Sequence, residues 1–124
     1  MIYGIGIDST SVERMAGKLQ KEHFVQRVFG EQERALIAQK KKLTAQTAAA
    51  NFAAKEAFLK AAGTGLGGFE LADIQALRKE SGAPEYRLSG TALEYITQNH
   101  IRPHLSITHE GDIATAFCIF EIIE

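Results

Sequence analysis

From Leu43 to Ala62 the chain carries one unbroken run of helix formers, heavily alanine. That run limits the possible folds more than any other stretch. Ala49, Ala50, Ala53 and Ala54 are small enough for neighbouring elements to pack close to the helix backbone. Its second half, Asn51 to Ala61, reads NFAAKEAFLKA. Residues about four apart share a helix face, so Phe52, Glu56 and Lys60 line up while Lys55 points elsewhere. A lone Glu–Lys pair at this spacing is usually a solvated surface pair, so its meaning rests on what the rest of the chain brings to it. Gly63, Thr64 and Gly65 end the run, with Gly63 suited to the left-handed capping position, and Gly67 and Gly68 extend the loop.

A length of 124 residues predicts one domain over 1–124. Hydrophobic residues make up 45% and charged residues 23%, the balance of a globular chain. A net charge of −1 gives no support for nucleic-acid or membrane-surface binding, so any electrostatic partner site must be a local patch. Cys118 is the sole cysteine and lies in an apolar run, which predicts a buried hydrophobe. No apolar run approaches the roughly 20 residues of a membrane span. The N-terminus has no signal-peptide pattern. A cytoplasmic location is the expectation.

In order, Met1 to Asp8 predicts a strand on which Gly4, Gly6 and Asp8 share a face. Bare backbone there admits either a ligand or a packed side chain, and Asp8 is either a metal or ligand residue at a strand end or the start of a turn. The glycines do not complete a dinucleotide fingerprint. Ser9 or Ser11 caps a helix to about Lys21. On it Val12, Met15 and Leu19 gather on one side and Arg14, Lys18 and Lys21 on the other, either a solvated face or a docking site for an acidic partner. His23 to Gln39 predicts one or two short helices interrupted at Gly30, followed by the basic run Lys40 to Lys42. Leu71 to Lys79 and Glu85 to Leu88 predict strands around a turn at Ser81 to Pro84. A helix follows over about Gly90 to Asn99, with Leu93 and Ile96 inward. In the strand His104 to Glu110, His104, Ser106 and Thr108 face one way and Leu105, Ile107 and His109 the other. Gly111 and Asp112 turn into a last strand, Ile113 to Ile123. Helices mixed with hairpin-connected strands predict an α+β fold: a small, mostly antiparallel sheet with a long central helix.

Asp8 and Glu56 are the kind of ligands a hard divalent cation takes, and Mg2+ is commonly held by one or two carboxylates plus water and phosphate oxygens. Lys60, a turn from Glu56, can neutralise phosphate or protonate a leaving oxygen. His104, Ser106 and Thr108 are further donors for phosphate or ribose. These parts match phosphoryl-type transfer, where positioning and charge neutralisation dominate. No nucleophile motif and no zinc-ligand spacing is present.

Taken together, GIGID (Gly4 to Asp8) with Glu13 and Arg14, RVFGEQE (Arg27 to Glu33), NFAAKEAFLKAAGTG, the turn Gly82 to Pro84 leading to Leu88–Ser89–Gly90, and HLSITHE (His104 to Glu110) resemble the holo-[acyl-carrier-protein] synthase family of phosphopantetheinyl transferases. The resemblance implies the 4′-phosphopantetheinyl transferase fold and transfer of the 4′-phosphopantetheine arm of coenzyme A to a serine of apo acyl carrier protein, with adenosine 3′,5′-bisphosphate as the other product. It implies Mg2+ on Asp8 and Glu56, and Lys60 at the pyrophosphate. Coenzyme A contacts would come from Lys60, Gly63, Gly65, His104, Ser106 and Thr108. Carrier-protein docking would fall to Arg14, Lys18 and Lys21, and the assembly would be a homotrimer with active sites between protomers. The chain departs from the family pattern at Asn51, where arginine is frequent, at Ser9–Thr10–Ser11, usually more apolar, and at Thr108, often serine. A Mg2+-dependent coenzyme A pyrophosphatase and a non-catalytic coenzyme A- or carrier-binding module are the rival readings.

Overall fold

The computed structural model describes residues 1–65 and 68–124, so the loop expected at Gly67 lies outside the described residues. Three long strands form one antiparallel sheet in the order β1 (Ile2–Ser11), β5 (Ile113–Ile122), β4 (Ile101–Glu110). A separate antiparallel hairpin pairs β2 (Ile74–Arg78) with β3 (Pro84–Leu88). Around them lie α1 (Val12–Lys18), α2 (Glu22–Val28), α3 (Glu31–Gln39), α4 (Thr44–Ala62) and α5 (Gly90–Gln98).

The alanine-rich helix is α4, and it packs across the inner face of the large sheet. The strand glycines explain how closely. A Cβ built on Gly4 would stand 2.1 Å from the Ala61 carbonyl oxygen, and one on Gly6 would stand 1.9 Å from that of Ala57. The group admitted by the bare backbone of β1 is therefore a helix backbone. Apolar contacts then extend to both sides of α4. Phe58, Leu59, Ile74 and Phe120 are buried on one side; Met15, Val28, Phe29 and Ile37 on the other. Apolar residues all round mark an interior helix. Between Asn51 and Ala61 its only positions not fully buried are Phe52, Glu56 and Lys60.

Gly63 takes the left-handed conformation at φ 77° and donates to the Leu59 and Lys60 carbonyls, ending α4 as expected. Gly30 separates α2 from α3, with the Glu33 carboxylate accepting its N–H at 3.0 Å. Cys118 is buried.

Several boundaries differ from the sequence expectation. β1 runs on to Ser11, because Ser9, Thr10 and Ser11 pair with Thr115, Ala114 and Ile113. α1, capped by the Ser11 hydroxyl, stops at Lys18, so Lys21 is not on that helix but precedes α2. Leu71–Asp73 is a 3-10 turn, not strand. On α5, Ala92 and Ile96 face the core and Leu93 is 46% exposed, the reverse of the inward placement expected for Leu93. Residues four apart share a face more closely than residues three apart on a short helix. His109 follows the predicted alternation yet stays exposed, one position from the hairpin end.

Gly6→Ala should destabilise the protein by more than about 3 kcal/mol, the upper range of ordinary overpacking, because the obstacle is fixed helix backbone. Gly63→Ala, whose Cβ would meet nothing within 4 Å, should cost only the roughly 1–2 kcal/mol of a left-handed non-glycine residue. Thermal and urea unfolding of the two variants would check the order; a smaller loss at Gly6 would contradict the close approach.

Candidate functional site

The end of β1 and the outer stripe of α4 meet in a cleft of about 230 Å³, lined by Asp8, Ser9, Thr10, Ser11, Arg14, Met15, Lys18, Phe52 and Glu56. Each side chain arrives for a local reason. Asp8 follows Gly4 and Gly6 on the inward face of β1, and so lies against α4. Glu56 and Lys60 are a turn apart on the only stripe of α4 left uncovered. The Lys60 ammonium donates to the Ile7 carbonyl at 2.9 Å and to Asp8 Oδ1 at 3.3 Å, which ties the two elements together. Lys60 is 57% exposed and Asp8 21%, so this ion pair is screened and easily opened. Thr10 lends a hydroxyl toward Asp8 Oδ2 at the long distance of 3.5 Å.

Partial burial pushes the Glu56 carboxyl above its ordinary value, and the Asp8 charge adds to the rise; Lys60 and Lys18 oppose it. Two carboxylates held together beside hydroxyls, with open space before them, form a donor set suited to a hard cation that brings its own water or phosphate oxygens. Among the described residues no three His, Cys, Asp or Glu side chains cluster as a closed metal cage.

Arg14 and Lys18 both line this cleft. Lys18 does not belong to a stripe opposite Met15. Its ammonium stands over the Phe24 and Phe52 rings, at 5.6 and 5.3 Å from their centres, which draws it inward over the mouth of the cleft. Lys21 lies outside the cleft.

His104, Ser106 and Thr108 are elsewhere. Strand alternation puts Gly6, Cys118 and Leu105 toward α4, and Ile7, Phe117 and Ser106 on the opposite face of the sheet. The predicted donors therefore occupy the outer face, away from Glu56. The His104 ring N–H at Nε2 donates to Glu121 Oε1 at 2.9 Å, which holds the Glu121 carboxyl below its usual range. It also lines a second cleft, of about 470 Å³, with Lys79, Pro84, Tyr86, Arg102 and Pro103. Gly63 and Gly65 follow the end of α4, both with positive φ and open space where a side chain would stand.

Sequence reasoning missed a buried polar network behind the site. Lys55 and Glu33 are fully buried and form an ion pair. Burial pushes Glu33 up and Lys55 down, and each charge holds the other back. Asn51 Nδ2 donates to Glu33 Oε2 at 3.1 Å and to the Ala76 carbonyl at 2.9 Å, while its Oδ1 accepts from Arg78 at 3.0 Å. Asn51 is thus an interior connector, with an arginine from β2 reaching it. The one visible trace was Gly30 followed by Glu33, the spacing of a helix-capping carboxylate.

Glu56→Gln should leave the protein at least as stable as the parent at neutral pH. A carboxyl whose folded value is raised above 4.5 binds protons more readily folded than unfolded, so its ionisation costs stability as pH rises through that window. The advantage of the variant should vanish on acidification below the ordinary carboxylate range. Denaturant unfolding across pH reads it; a variant less stable at neutral pH would contradict the raised value.

Comparison with known proteins places these features among relatives. Residues 4–118 match the 4′-phosphopantetheinyl transferase superfamily. The chain is 41% identical over 122 residues to a holo-[acyl-carrier-protein] synthase of Treponema denticola, covering 98% of this chain and 99% of the relative. It superposes on the crystal structure of holo-[acyl-carrier-protein] synthase from Neisseria meningitidis with a TM-score of 0.88 at 34% identity, covering 98% of this chain and 99% of the other. A holo-(acyl-carrier-protein) synthase from Bacillus anthracis in complex with CoA (3′,5′-ADP) gives 0.84 at 33% identity, covering 99% of each chain.

Proposed function

Because the chain belongs to the 4′-phosphopantetheinyl transferase superfamily, we infer that it transfers the 4′-phosphopantetheine arm of coenzyme A to a serine hydroxyl of apo acyl carrier protein, releasing adenosine 3′,5′-bisphosphate. Similarity to holo-[acyl-carrier-protein] synthases over 98% of the chain, at 41% and 38% identity, carries this reading, and the cleft that brings Asp8 and Glu56 together supports it. Residues 1–124 act as one transferase domain in this reading, serving fatty acid biosynthesis in the cytoplasm. No helix among the described residues is long and apolar enough to cross a membrane.

Asp8 and Glu56 are the residues that would hold Mg2+. Bound there, the ion supplies charge neutralisation at the pyrophosphate. The chain's own groups do the rest. Lys60 is exposed and on a flexible stem, so its ammonium can leave Asp8 for a phosphate oxygen and stabilise charge on the departing bisphosphate. Gly63 and Gly65, with no side chain to obstruct, let the pantetheine or phosphates pass close to the backbone. Arg14 and Lys18 line the same cleft, and in this reading they present positive charge to an acidic carrier whose serine enters there. Lys21 extends that charge beyond the cleft.

His104, Ser106 and Thr108 contact coenzyme A in this reading, yet in one protomer they face away from Glu56. The outer sheet face is polar on β4 but apolar on β5 and β1: Ile5 is 58% exposed, Ile7 56% and Phe117 38%. Isolated exposed apolar residues are ordinary, whereas a contiguous row on two paired strands is a place for another surface. A second copy that packed its Glu56 stripe against that face would set its carboxylates beside these donors. A homotrimer with three sites between protomers meets this need with closed symmetry.

Mass spectrometry of apo acyl carrier protein incubated with the protein, coenzyme A and Mg2+ should find a gain of one phosphopantetheine arm, lost with a chelator. Hydrolysed coenzyme A without carrier modification would indicate a pyrophosphatase instead. Asp8→Asn should nearly abolish the gain, and undiminished rates at saturating Mg2+ would remove Asp8 from the metal. In the same assay Arg14→Glu should raise KM for the carrier far more than KM for coenzyme A; equal effects would argue against docking there.

Mixing subunits tests the shared site. Glu56→Gln and His104→Ala proteins, each impaired alone, should regain activity when unfolded and refolded together, because mixed assemblies contain some sites with both sides intact. Random assembly of equal amounts restores roughly a quarter of the sites. No recovery, with light scattering giving a monomer, would rule out sites between protomers.

A further inference from the structure

We propose that Lys55 is a positioning residue: its buried bonds fix the roll of α4 and thereby the aim of Glu56 at Asp8. The inference rests on Asp8 and Glu56 being the metal ligands.

The need for such a device follows from the composition of α4. Six of its fully buried residues are alanines, Ala48, Ala49, Ala50, Ala53, Ala54 and Ala57, and its large fully buried apolar side chains, Phe58 and Leu59, come only near its C-terminal end. Against β1 the carbonyls of Ala57 and Ala61 stand over Gly6 and Gly4, where no side chain interlocks, and the one side-chain tie, from Lys60, is exposed. Knobs seated in holes ordinarily fix how a helix is turned about its axis. Smooth surfaces specify that angle weakly. Glu56 is sensitive to it. A roll of about 20° would carry a carboxylate, roughly 5–6 Å from the helix axis, through about 2 Å. A misplacement of about 1 Å can cost on the order of a hundredfold in rate.

Lys55 supplies the missing directionality. It lies about 100° around the helix from Glu56. Its ammonium donates to Glu33, to the Leu71 carbonyl at 3.0 Å and to the Ile74 carbonyl at 2.7 Å. Those acceptors sit on three separate places: α3, the 3-10 turn before β2, and β2 itself. Glu33 is held in turn. Its Oε1 accepts from the Gly30 N–H at 3.0 Å, and its Oε2 accepts from Asn51 and, at 3.0 Å, from the Ala76 N–H. Asn51 repeats the attachment one turn earlier on α4. Among the described residues no buried side-chain nitrogen or oxygen lacks a partner. Rolling α4 would break several of these bonds at once and leave buried polar groups unpaired, which a low-dielectric interior strongly disfavours.

Comparing Lys55→Met with Lys55→Met/Glu33→Gln separates aim from stability. The single variant strands a buried carboxylate and should lower Tm and kcat together. The double variant removes that charge and should recover part of the Tm, the glutamine NH2 being left to face an N–H donor. Its kcat should stay at least about tenfold low while KM for coenzyme A changes less than about threefold. Mn2+ affinity in the presence of coenzyme A, read by electron paramagnetic resonance, should weaken in parallel. A double variant with kcat within about twofold of the parent would overturn the proposal, since recovered stability would then have recovered activity. Should the double variant fail to fold, Glu33→Gln alone keeps the volume and one acceptor oxygen; it should lower kcat severalfold below its Tm, and an unchanged kcat there overturns the proposal equally. Failure of the ligand assignment reads differently: Glu56→Gln would then keep full turnover and Mn2+ binding.

Discussion

The close approach of α4 to β1 is the constraint on which the rest depends. Gly4 and Gly6 leave room for helix backbone where any side chain would collide with the carbonyls of Ala57 and Ala61. That contact sets the distance between Asp8, at the end of the strand, and Glu56, on the helix. Two carboxylates far apart in sequence thereby come to share one cleft. The fold accepts the cost. Glu56 is partly desolvated beside a like charge, and its proton affinity rises accordingly. Proteins place such unfavourable groups where a ligand later stabilises them.

Closeness alone does not provide aim. A helix faced with alanine can approach a glycine strand at many angles, and of its fully buried apolar side chains only Phe58 and Leu59, near one end, are large enough to distinguish among them. The charged network of Glu33, Lys55 and Asn51 has definite directions, because every bond has one donor and one acceptor at fixed places. Burying an ion pair is seldom a route to greater stability. Here its physical use is to select one arrangement among several of similar apolar contact. The two devices are therefore complementary: glycine and alanine set distance, and the buried polar bonds set angle.

This division also explains what could be read from the sequence. Helix and strand periodicities are local, so α4, its glycine cap, the break at Gly30 and the alternation of β4 were all legible. Gly4, Gly6 and Asp8 were correctly placed on one face, as were Phe52, Glu56 and Lys60. Element ends were less so. β1 extends to Ser11 because Thr115 and its neighbours offer partners, a non-local fact. α1 ends at Lys18, which separates Lys21 from the stripe a longer helix would have formed. Lys18 turns over Phe24 and Phe52, rings contributed by other helices, and a helical wheel contains neither. Lys55 could be seen to point away from Glu56, but its acceptors are mostly backbone carbonyls, which leave no mark in a sequence.

The two-sided placement of the remaining site residues follows from the sheet itself. A sheet that buries one face against α4 has only its other face to offer. On β4 the residues at even positions, His104, Ser106 and Thr108, must then stand on that other face while Leu105 and Ile107 turn inward. No side-chain rotation carries them through the sheet to Glu56. The apolar row on β1 and β5 adjoins them directly, with Ile7 opposite Phe117 and Phe117 opposite Ser106. Any surface that covers this apolar row must also end up beside the polar one. Assembly and completion of the site are thus one event in the proposed trimer: the same contact that removes Ile5, Ile7 and Phe117 from water brings the donors of one copy to the carboxylates of the next.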